Sequence, residues 1–489
     1  MAANRDLEKS PVVSIADADD KIKLNVQDQL SEDQQLVVKR YLRKIDFRIL
    51  PIVLMLYVFS LIDRGNIGAA FVSGMIEDIK LTKSQQGDTL TFFYIFYLLF
   101  QTPANIILKK TRPSIWFGIT GSIWSICCMC MAFAKTGTVL IILRAMLGGF
   151  ESGLTPGVVA FLNYWYTRSE VATRMSVFFL AVPISGMIGG PISAALSGKH
   201  LGPFKPYQAI FFVEGAITLV LSILTFLTLV DYPDEAKILT QEEKQLIVRR
   251  LNTEQGMASK AKPTIKEVLN ALKDWKMYVN AIIFFGFNNL SIILGTFGPT
   301  MLAQGGFKGT LSIYLASIKA LCGLLGVFTS MALFNKVSYS TMIIIFSSIS
   351  VPCYAISAWS TNKYLRLTFL SLAGYGSYTN IPLPLSWSAI NQGGIIKGLV
   401  SSAMVISIGS ISGAVIPRFY AKEYGPKFTT GHILTISFAA LSCILSILLR
   451  IYYTIENKRR DNNPVNLDHL PLEEQRLLND KHPTFRYKL

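Results

Sequence analysis

Six ionisable side chains interrupt the long apolar runs of this 489-residue chain. If these runs cross a membrane, each charge costs roughly 2.5–3.5 kcal/mol on insertion scales, so each is expected to have a role. A carboxyl group at that depth can take up and release a proton, and an arginine or lysine can hold an anion. The balance of acids and bases suggests mutual pairing. The six residues are Asp63, Arg64, Arg144, Glu151, Glu214 and Lys319.

The fourth apolar run carries a polar face. Arg144, Gly148, Glu151 and Thr155 recur at helical spacing, which places them on one side of a helix. We interpret this side as the wall of a central cavity, where Glu151 couples proton movement to transport. The alternative is a buried arginine–glutamate pair that locks two helices together. Arg144 is predicted to be structural or gating, because an arginine near the inner end of a span usually clamps a neighbouring helix.

The first apolar run carries a second polar stripe, formed by Tyr57, Ser60 and Arg64. The planar fork of an arginine suits a carboxylate, so Arg64 is predicted to bind an anionic substrate, with Tyr57 on the same face. Asp63, on an adjoining face, is predicted to support proton coupling or structure. The alternative for Arg64 is that Asp63 or a facing acid neutralises it and that it never meets substrate.

Lys319 is the most isolated charge, since nothing in its own run can neutralise it. It is predicted to attract an anionic substrate from a cavity, or else to extend toward the membrane interface. Glu214, near the outer end of the sixth run, is predicted to be structural. Four further residues of the second half are candidates for the substrate pocket, although each could equally serve helix packing: Asn288, Tyr378, Trp387 and Asn391.

The elements that position these residues follow from hydropathy. The chain is 51% apolar and only 16% charged, which is too little charge for a soluble domain of this size. A span needs roughly 20 mostly apolar residues, and twelve segments qualify. We therefore expect an all-α polytopic membrane protein with twelve transmembrane helices in two pseudo-symmetric six-helix bundles. The segments are 48–72, 87–108, 114–134, 138–163, 172–197, 207–230, 276–302, 309–334, 339–358, 364–390, 398–419 and 431–454.

The distribution of basic residues predicts the orientation. With both termini in the cytoplasm, 33 of the 47 lysines and arginines lie inside, 11 outside and 3 within the membrane. This threefold bias is the expected excess of positive charge on the cytoplasmic side. The predicted organisation is a cytoplasmic N-terminal tail, a first bundle, a cytoplasmic linker, a second bundle and a cytoplasmic C-terminal tail. These occupy residues 1–47, 48–230, 231–275, 276–454 and 455–489.

A weak internal repeat supports this division. The fifth run of each half carries small residues four apart followed by proline: 186–191 reads GMIGGP and 409–417 reads GSISGAVIP. Small residues at this spacing let helices approach closely, and proline kinks them. Either motif alone could be ordinary packing. Their matching positions favour a transporter repeat, in which Gly190 and Pro191 are predicted to be structural or gating residues.

At these residues the chain resembles the fungal anion:cation symporters of the major facilitator superfamily. The resemblance covers about residues 40–455 and rests mainly on 61–68 (LIDRGNIG), 97–105 (YLLFQTPAN), 144–157 (RAMLGGFESGLTPG) and 211–215 (FFVEG). It implies the major facilitator fold and uptake, with protons, of a carboxylate vitamin such as nicotinate or pantothenate, or of allantoate. The family motif is matched by Asp63, Arg64, Asn66, Arg144, Glu151, Pro156 and Gly157.

One departure from the family pattern concerns proton coupling. The second span of the family usually carries an acid where this chain has Gln101. Gln101 is therefore predicted to be structural, and the coupling role shifts further onto Glu151. The remaining motif residues Pro156 and Gly157 are expected to be structural or gating.

The expected function is secondary active uptake of a small organic anion with protons by alternating access. The alternatives are a proton-driven drug or metabolite exporter, a non-transporting nutrient sensor of the same fold, and an integral-membrane enzyme. An enzyme is disfavoured because no phosphate loop, metal-ligand set or nucleophile elbow occurs. We expect no cofactor, metal or nucleic-acid partner. We expect a monomer in the lipid bilayer of the plasma membrane, with the vacuolar or endoplasmic reticulum membrane as alternatives.

Overall fold

The computed structural model describes residues 32–489 except 109, 163, 199–201, 234–235, 237, 256–264, 335, 394, 422–423, 426 and 464–478. Residues 1–31 of the predicted N-terminal tail, and parts of the predicted linker and C-terminal tail, lie outside the described residues. The described residues form helices joined by short turns.

The helices follow the predicted spans closely, and we number them span 1 to span 12. Spans 1 to 6 are Glu32–Ala70, Lys83–Leu108, Pro113–Met131, Gly137–Glu151 with Leu154–Leu162, Arg168–Phe179 with Ala181–Ser197, and Pro206–Thr228. The linker contains Gln241–Gln255 and Ile265–Leu272. Spans 7 to 12 are Trp275–Gln304, Thr310–Leu315 with Ile318–Leu333, Tyr339–Trp359, Lys363–Thr379 with Pro382–Ile390, Ile395–Val415, and Thr429–Asn462.

Within the described residues, 11 helices are long and apolar enough to cross a membrane. The predicted tenth span is present as two shorter helices, which break at Asn380 and Ile381. Pro382 begins the second piece, where its missing N–H costs no helical hydrogen bond. The chain is therefore an all-α, multi-pass membrane protein.

Two helices extend beyond their predicted ends. Span 1 begins at Glu32 rather than at residue 48, and span 12 continues to Asn462 rather than stopping at residue 454. Hydropathy detects only the stretch that crosses the apolar core of a bilayer, whereas the helical backbone continues through polar residues. Both extensions project on the side of the linker, which we call the linker face.

The two repeat motifs pack across the boundary between the halves. A Cβ added to Gly190 of span 5 would lie 2.0 Å from Ser317 Oγ in span 8. A Cβ added to Gly413 of span 11 would lie 2.3 Å from Tyr94 Cε2 in span 2. Each fifth helix thus meets the second helix of the opposite half at a glycine, because only glycine permits that approach.

Polar contacts join the halves at the end opposite the linker face. Arg418 Nη2 lies 2.5 Å from Asp88 Oδ1, and Arg418 Nε donates to Thr91 Oγ1 over 2.9 Å. Lys83 Nζ lies 3.6 Å from the ring centre of Tyr424. Near this end the backbones of spans 1 and 7 also touch, because a Cβ on Gly68 would lie 1.9 Å from the carbonyl oxygen of Thr296. The structure is closed at this end.

The linker is tied to the first half at the linker face. Lys44 Nζ of span 1 lies 2.8 Å from Glu243 Oε1 of the linker helix. Arg250 of the same helix lies 2.8 Å from Glu170 Oε1 at the start of span 5. Burial opposes ionisation of Glu243, but the hydrogen bonds from Lys44 and Thr240 and the charge of Lys44 together outweigh it and lower the pKa of that carboxyl group.

Candidate functional site

Arg64 and Glu151 form an ion pair between spans 1 and 4, with 2.6 Å between Arg64 Nη2 and Glu151 Oε1. The same carboxylate oxygen accepts a hydrogen bond from Ser60 Oγ, one turn earlier in span 1. The other oxygen, Oε2, is buried and has no hydrogen-bond partner among the residues that the structure describes. The side chain of Glu151 is 1% exposed, whereas that of Arg64 is 21% exposed. The base therefore remains reachable while its acid is enclosed.

Aromatic rings of span 2 surround the guanidinium group. The carbon Cζ of Arg64 lies 5.4 Å from the ring centre of Phe93 and 5.0 Å from that of Tyr97. Such rings stabilise a cation without neutralising it, so Arg64 keeps its capacity to bind an anion. Tyr57 is buried two turns away in span 1, and its ring stacks on Phe178 at 4.3 Å. The ring of Tyr57, which was predicted to contact substrate beside Arg64, is therefore packed against Phe178 of span 5.

Asp63 points away from this pair into the interior of the first half. It is fully buried, and its carboxylate accepts hydrogen bonds from Thr218 Oγ1 at 2.8 Å and from Cys128 Sγ at 3.6 Å. These donors are uncharged. A buried carboxylate held by neutral donors is costly to ionise, which suits a group that exchanges a proton.

Arg144 joins span 4 to span 1, and a structural or gating role remains our prediction for it. Its guanidinium donates to the backbone oxygens of Asp63 and Arg64, each over 3.3 Å, and to Asn66 Oδ1 over 2.9 Å. An arginine–glutamate pair between two helices, considered as an alternative, does exist, but its arginine is the partly exposed Arg64. Arg144 and Glu151 share one face of span 4, and both meet span 1 from there.

Glu214 is enclosed between spans 5 and 6. It is fully buried and accepts a hydrogen bond from Ser193 Oγ at 2.6 Å. Within the described part of the chain, its second oxygen has no hydrogen-bond partner. This arrangement joins two neighbouring helices of one half, so a structural role remains our prediction for Glu214.

Lys319 lies inside span 8 and is 5% exposed. Its Nζ donates to the backbone oxygen of Ala316 over 2.8 Å and lies against Gly298 of span 7, where a Cβ would be 2.8 Å away. In the part of the chain that the structure describes, no carboxylate reaches ion-pair distance of Lys319. The lysine does not extend to the interface, which was the alternative prediction.

Tyr378 and Asn288 lie in the second half at helix contacts. Tyr378 of span 10 packs against Gly323 of span 8, and its hydroxyl is 3.7 Å from a Cβ built on Gly186 of span 5. It therefore reaches the boundary between the halves. Asn288 donates to the backbone oxygen of Gly409 over 3.2 Å, which ties span 7 to span 11. Tyr378 is the better placed of the two for a substrate contact.

Trp387 and Asn391 are directed elsewhere. Trp387 Nε1 donates to the backbone oxygen of Lys488 over 2.9 Å, and Asn391 Nδ2 donates to the same oxygen over 3.0 Å. Both side chains are buried. Their polar atoms are satisfied by the C-terminal segment, so we do not carry these two residues into the proposed substrate site.

The predicted structural residues lie at helix breaks and close contacts. Span 4 is interrupted just before Pro156, and Gly157 packs against Leu108 and Phe117. Pro191 lies inside the helix Ala181–Ser197. The backbone oxygen of Gln101 accepts a hydrogen bond from Asn105 Nδ2 at 3.0 Å within span 2.

Several members of the site were missed from the sequence. Phe93 and Tyr97 were detectable, because aromatic residues four apart share one face of a helix. Neither Cys128 nor Thr218 was a candidate from the sequence. No sequence pattern connects either residue to Asp63, because both contacts depend on the packing of spans 3 and 6 against span 1.

Known proteins similar to this chain are membrane transporters. A protein of Agrobacterium vitis, provisionally named a tartrate transporter, is 30% identical over 421 residues, which cover 84% of this chain and 91% of that protein. The high-affinity nicotinic acid transporter of Saccharomyces cerevisiae is 26% identical over 460 residues, covering 92% of this chain and 84% of that protein.

Solved structures show the same fold at low sequence identity. A bacterial homologue of the human lysosomal transporter Spinster, in an inward-facing and occupied conformation, has a TM-score of 0.60 and 16% identity. The match covers 82% of this chain and 95% of that one. The nucleoside transporter NupG has a TM-score of 0.57 and 14% identity, and the match covers 82% of this chain and 98% of NupG.

The family model described as Major Facilitator Superfamily matches residues 53–417. This range runs from within span 1 to just past the end of span 11, and it contains all six charges within the apolar runs. The chain is therefore a multi-pass secondary transporter of a small molecule, and it belongs to the Major Facilitator Superfamily.

Proposed function

We propose that this transporter takes up a small organic anion together with protons, as the anion:cation symporters of its superfamily do. The observation that carries the proposal is the ion pair between Arg64 and Glu151. It joins a base that stays partly accessible to an acid that is enclosed.

The pair supplies a mechanism for coupling. While Glu151 is ionised it holds Arg64, so a substrate carboxylate must compete for the guanidinium. Protonation of Glu151 removes that charge and leaves the planar fork of Arg64 free to donate two parallel hydrogen bonds to the substrate. Proton and anion therefore bind in support of each other. Because one proton and one anion together add no net charge to the site, the loaded transporter also changes conformation in the membrane at a lower energetic cost.

Lys319 supports the same choice of substrate. Gly68, one turn after Arg64 in span 1, packs against Thr296 of span 7. Two residues after Thr296, Gly298 packs against Lys319. Arg64 and Lys319 thus approach the boundary between the halves from opposite sides. Two bases flanking this boundary favour an anion, and they disfavour the bulky cations expected of a drug exporter.

Asp63 is the second candidate for a coupled proton. Its neutral donors, Thr218 and Cys128, leave its ionised form poorly compensated. The backbone carbonyl groups of Asp63 and Arg64 also bind Arg144, so a change at the Asp63 carboxyl group can reach the neighbouring ion pair through the backbone of span 1.

The names of the relatives support a carboxylate. One relative is named for tartrate and another for nicotinic acid, and both names denote carboxylic acids. We propose a substrate of this class, with nicotinate, pantothenate, allantoate and tartrate as the first candidates. The bias of basic residues places the linker face in the cytoplasm, and we propose the plasma membrane as the location and the monomer as the working unit.

Uptake assays in cells that express the chain test this proposal. Labelled nicotinate is offered at an acidic and at a neutral exterior, with and without a protonophore, and in competition with pantothenate, allantoate and tartrate. We expect uptake that is stimulated by external acid, collapses with the protonophore and is inhibited by at least one competing carboxylate. Carboxylate uptake that ignores the proton gradient would exclude symport. Acceptance of organic cations in place of carboxylates would exclude the proposed substrate class.

A further inference from the structure

Residues 479–489 lie against the linker face of the second half, and we call this segment the strap. Asp480 of the strap is fully buried. Its carboxylate contacts Lys276 at the start of span 7 and Lys397 at the start of span 11, the latter over 2.5 Å. Lys397 also contacts Asp274, the N-cap residue of span 7. Four charged groups from three parts of the chain therefore meet in one buried cluster.

The strap completes the charge balance of this cluster. Lys276 and Lys397 are both buried, and without Asp480 they would share only the carboxylate of Asp274. A buried base without a partner is strongly destabilising. Burial opposes ionisation of Asp480, but Lys276 and Lys397 outweigh it and hold the pKa of this carboxyl group below its usual range. We call the surface under the strap, formed by spans 7, 10, 11 and 12, the groove. The strap fits this groove with Asp480 ionised.

The groove also forms hydrogen bonds with the backbone of the strap. Lys488 donates its N–H to Asn391 Oδ1 over 2.8 Å, and its carbonyl oxygen accepts from Trp387 Nε1 at 2.9 Å. Asn457 of span 12 makes two hydrogen bonds to the backbone of Tyr487. It accepts one from the N–H at 2.9 Å and donates the other to the carbonyl oxygen over 2.8 Å. Paired contacts of this kind fix the register of an extended segment.

Span 12 supplies a second set of contacts. The guanidinium group of Arg460 donates to the backbone oxygens of Asp480 and Phe485, each over 2.9 Å. The ring of Tyr487 stacks on that of Tyr453 with 4.3 Å between ring centres and 7° between planes. The helical extension beyond the predicted end of span 12 is what carries Arg460 to the strap.

Gly393, in the turn between spans 10 and 11, is shaped to receive the strap. It has a φ of +70°, which favours glycine, and a Cβ there would lie 2.3 Å from the backbone nitrogen of Asp480. Any side chain at this position would displace the strap backbone. The turn is thus suited to the strap both in conformation and in space.

We propose that the strap is a brace that docks in this groove and holds the linker-face ends of spans 7, 10, 11 and 12 together as one unit. The occupant is a segment of this chain, and the groove recognises it through one buried carboxylate and a set of backbone contacts. In a rocking transporter the ends of one half must move together, so a brace at this face serves the transport cycle.

Amide hydrogen exchange of the full-length protein in detergent or nanodiscs tests the brace, and it requires no substrate. We expect slow exchange in the strap of the unchanged protein. Asp480→Asn and Gly393→Ala should each accelerate exchange at least ~tenfold in the strap and also in residues 274–282 and 387–400. Trp387→Phe keeps an aromatic side chain but removes the hydrogen bond from Nε1 to Lys488, and it should accelerate exchange of the same regions to a smaller extent.

The matched control is Asp461→Asn. Asp461 binds Arg486 of the strap over 2.8 Å at an exposed position, so its loss should leave the exchange pattern unchanged. Exchange in span 1 reports whether a variant is still folded. Rapid exchange of the strap in the unchanged protein would overturn the proposal. So would a strap that undocks in Asp480→Asn while residues 274–282 and 387–400 stay protected. Because no transport is measured, failure here is distinct from failure of the proposed substrate.

Discussion

Arg64 and Glu151 are 87 residues apart in the chain, yet Arg64 Nη2 lies 2.6 Å from Glu151 Oε1. This pairing links the residue best suited to bind a carboxylate with the residue best suited to exchange a proton. Binding of an anion and binding of a proton therefore act on a single contact.

Glu151→Gln should separate coupling from binding. Glutamine keeps the size of the side chain and can still accept from Arg64 and Ser60, but it cannot lose a proton. We expect the variant to bind substrate and exchange it across the membrane, to lose most of the pH dependence of exchange, and to fail to concentrate substrate. Counterflow and net accumulation in the same vesicles measure the two activities.

Glu214→Gln is the control for Glu151→Gln, because it changes another fully buried acid of the same half that is bound by a serine. It should keep pH-dependent accumulation. A well-expressed Glu151→Gln protein that still concentrates substrate would show that Glu151 does not carry the coupled proton.

Arg64→Lys should impair transport nearly as badly as Arg64→Ala. Lysine keeps the charge but cannot donate two parallel hydrogen bonds to one carboxylate. We expect the half-saturating concentration to rise at least ~tenfold, which corresponds to about 1.4 kcal/mol. Initial uptake rates over a range of substrate concentrations measure it.

Arg450→Lys serves as a control for the Arg64 variants, since the guanidinium of Arg450 binds only Thr341 Oγ1 among the contacts described, over 2.7 Å. This change should leave the half-saturating concentration within about twofold. If Arg64→Lys transports with unchanged affinity, Arg64 acts as a point charge and the proposed two-bond contact is wrong.

Asp88→Asn should favour the state that is open at the end opposite the linker face. Asp88 and Arg418 join the halves there, but Arg418 is 48% exposed, so their ion pair contributes only about 0.5–1 kcal/mol. We expect labelling of Tyr94→Cys by a membrane-impermeant maleimide to accelerate about two- to fivefold. The double reversal Asp88→Arg with Arg418→Asp should restore slow labelling.

Asp78→Asn is the matched control for this experiment. Asp78 pairs with Lys205 on the same face, but both residues belong to the first half. Its loss should not change the labelling of Tyr94→Cys. Equal acceleration by Asp78→Asn and Asp88→Asn would mean that general loosening, and not release of one half from the other, exposes the cysteine.

Docking of the strap should be insensitive to pH between about pH 6 and about pH 8. A carboxyl group whose pKa is lowered by folding stabilises the folded form above its ordinary pKa, and this contribution is lost only as the pH falls through the lowered value. Asp480 is such a group, and it faces Lys276, Lys397, Tyr487 and Arg460. Burial and the charge of nearby Arg460 lower the pKa of His482, which favours its neutral form.

Hydrogen exchange of the strap at the two pH values, corrected for the intrinsic dependence of exchange on pH, measures this property. Equal protection is the expected result. A strap that is released at about pH 6 would show that a group other than the ionised Asp480 controls docking.

The sequence by itself determined the membrane-spanning architecture and which charges lie within the apolar runs. Transfer of a segment into a bilayer depends on the sum of its own residues, so apolar runs predict spans without knowledge of their neighbours. The glycine motif of each fifth span was also evident in the sequence, because residues four apart share one face of a helix. The break in span 10 at Asn380 and Ile381 was not predicted.

Only the tertiary structure decided which charges meet. The sequence left open whether an arginine–glutamate pair exists and which arginine belongs to it. Packing of spans 1 and 4 assigns Arg64 to Glu151 and turns Arg144 toward backbone oxygens. Likewise, Trp387 and Asn391 resembled pocket residues in the sequence, but in the structure their side chains donate hydrogen bonds to the strap. The axial rotation of each helix and the docking of distant segments depend on contacts over long sequence separations, which no local pattern encodes.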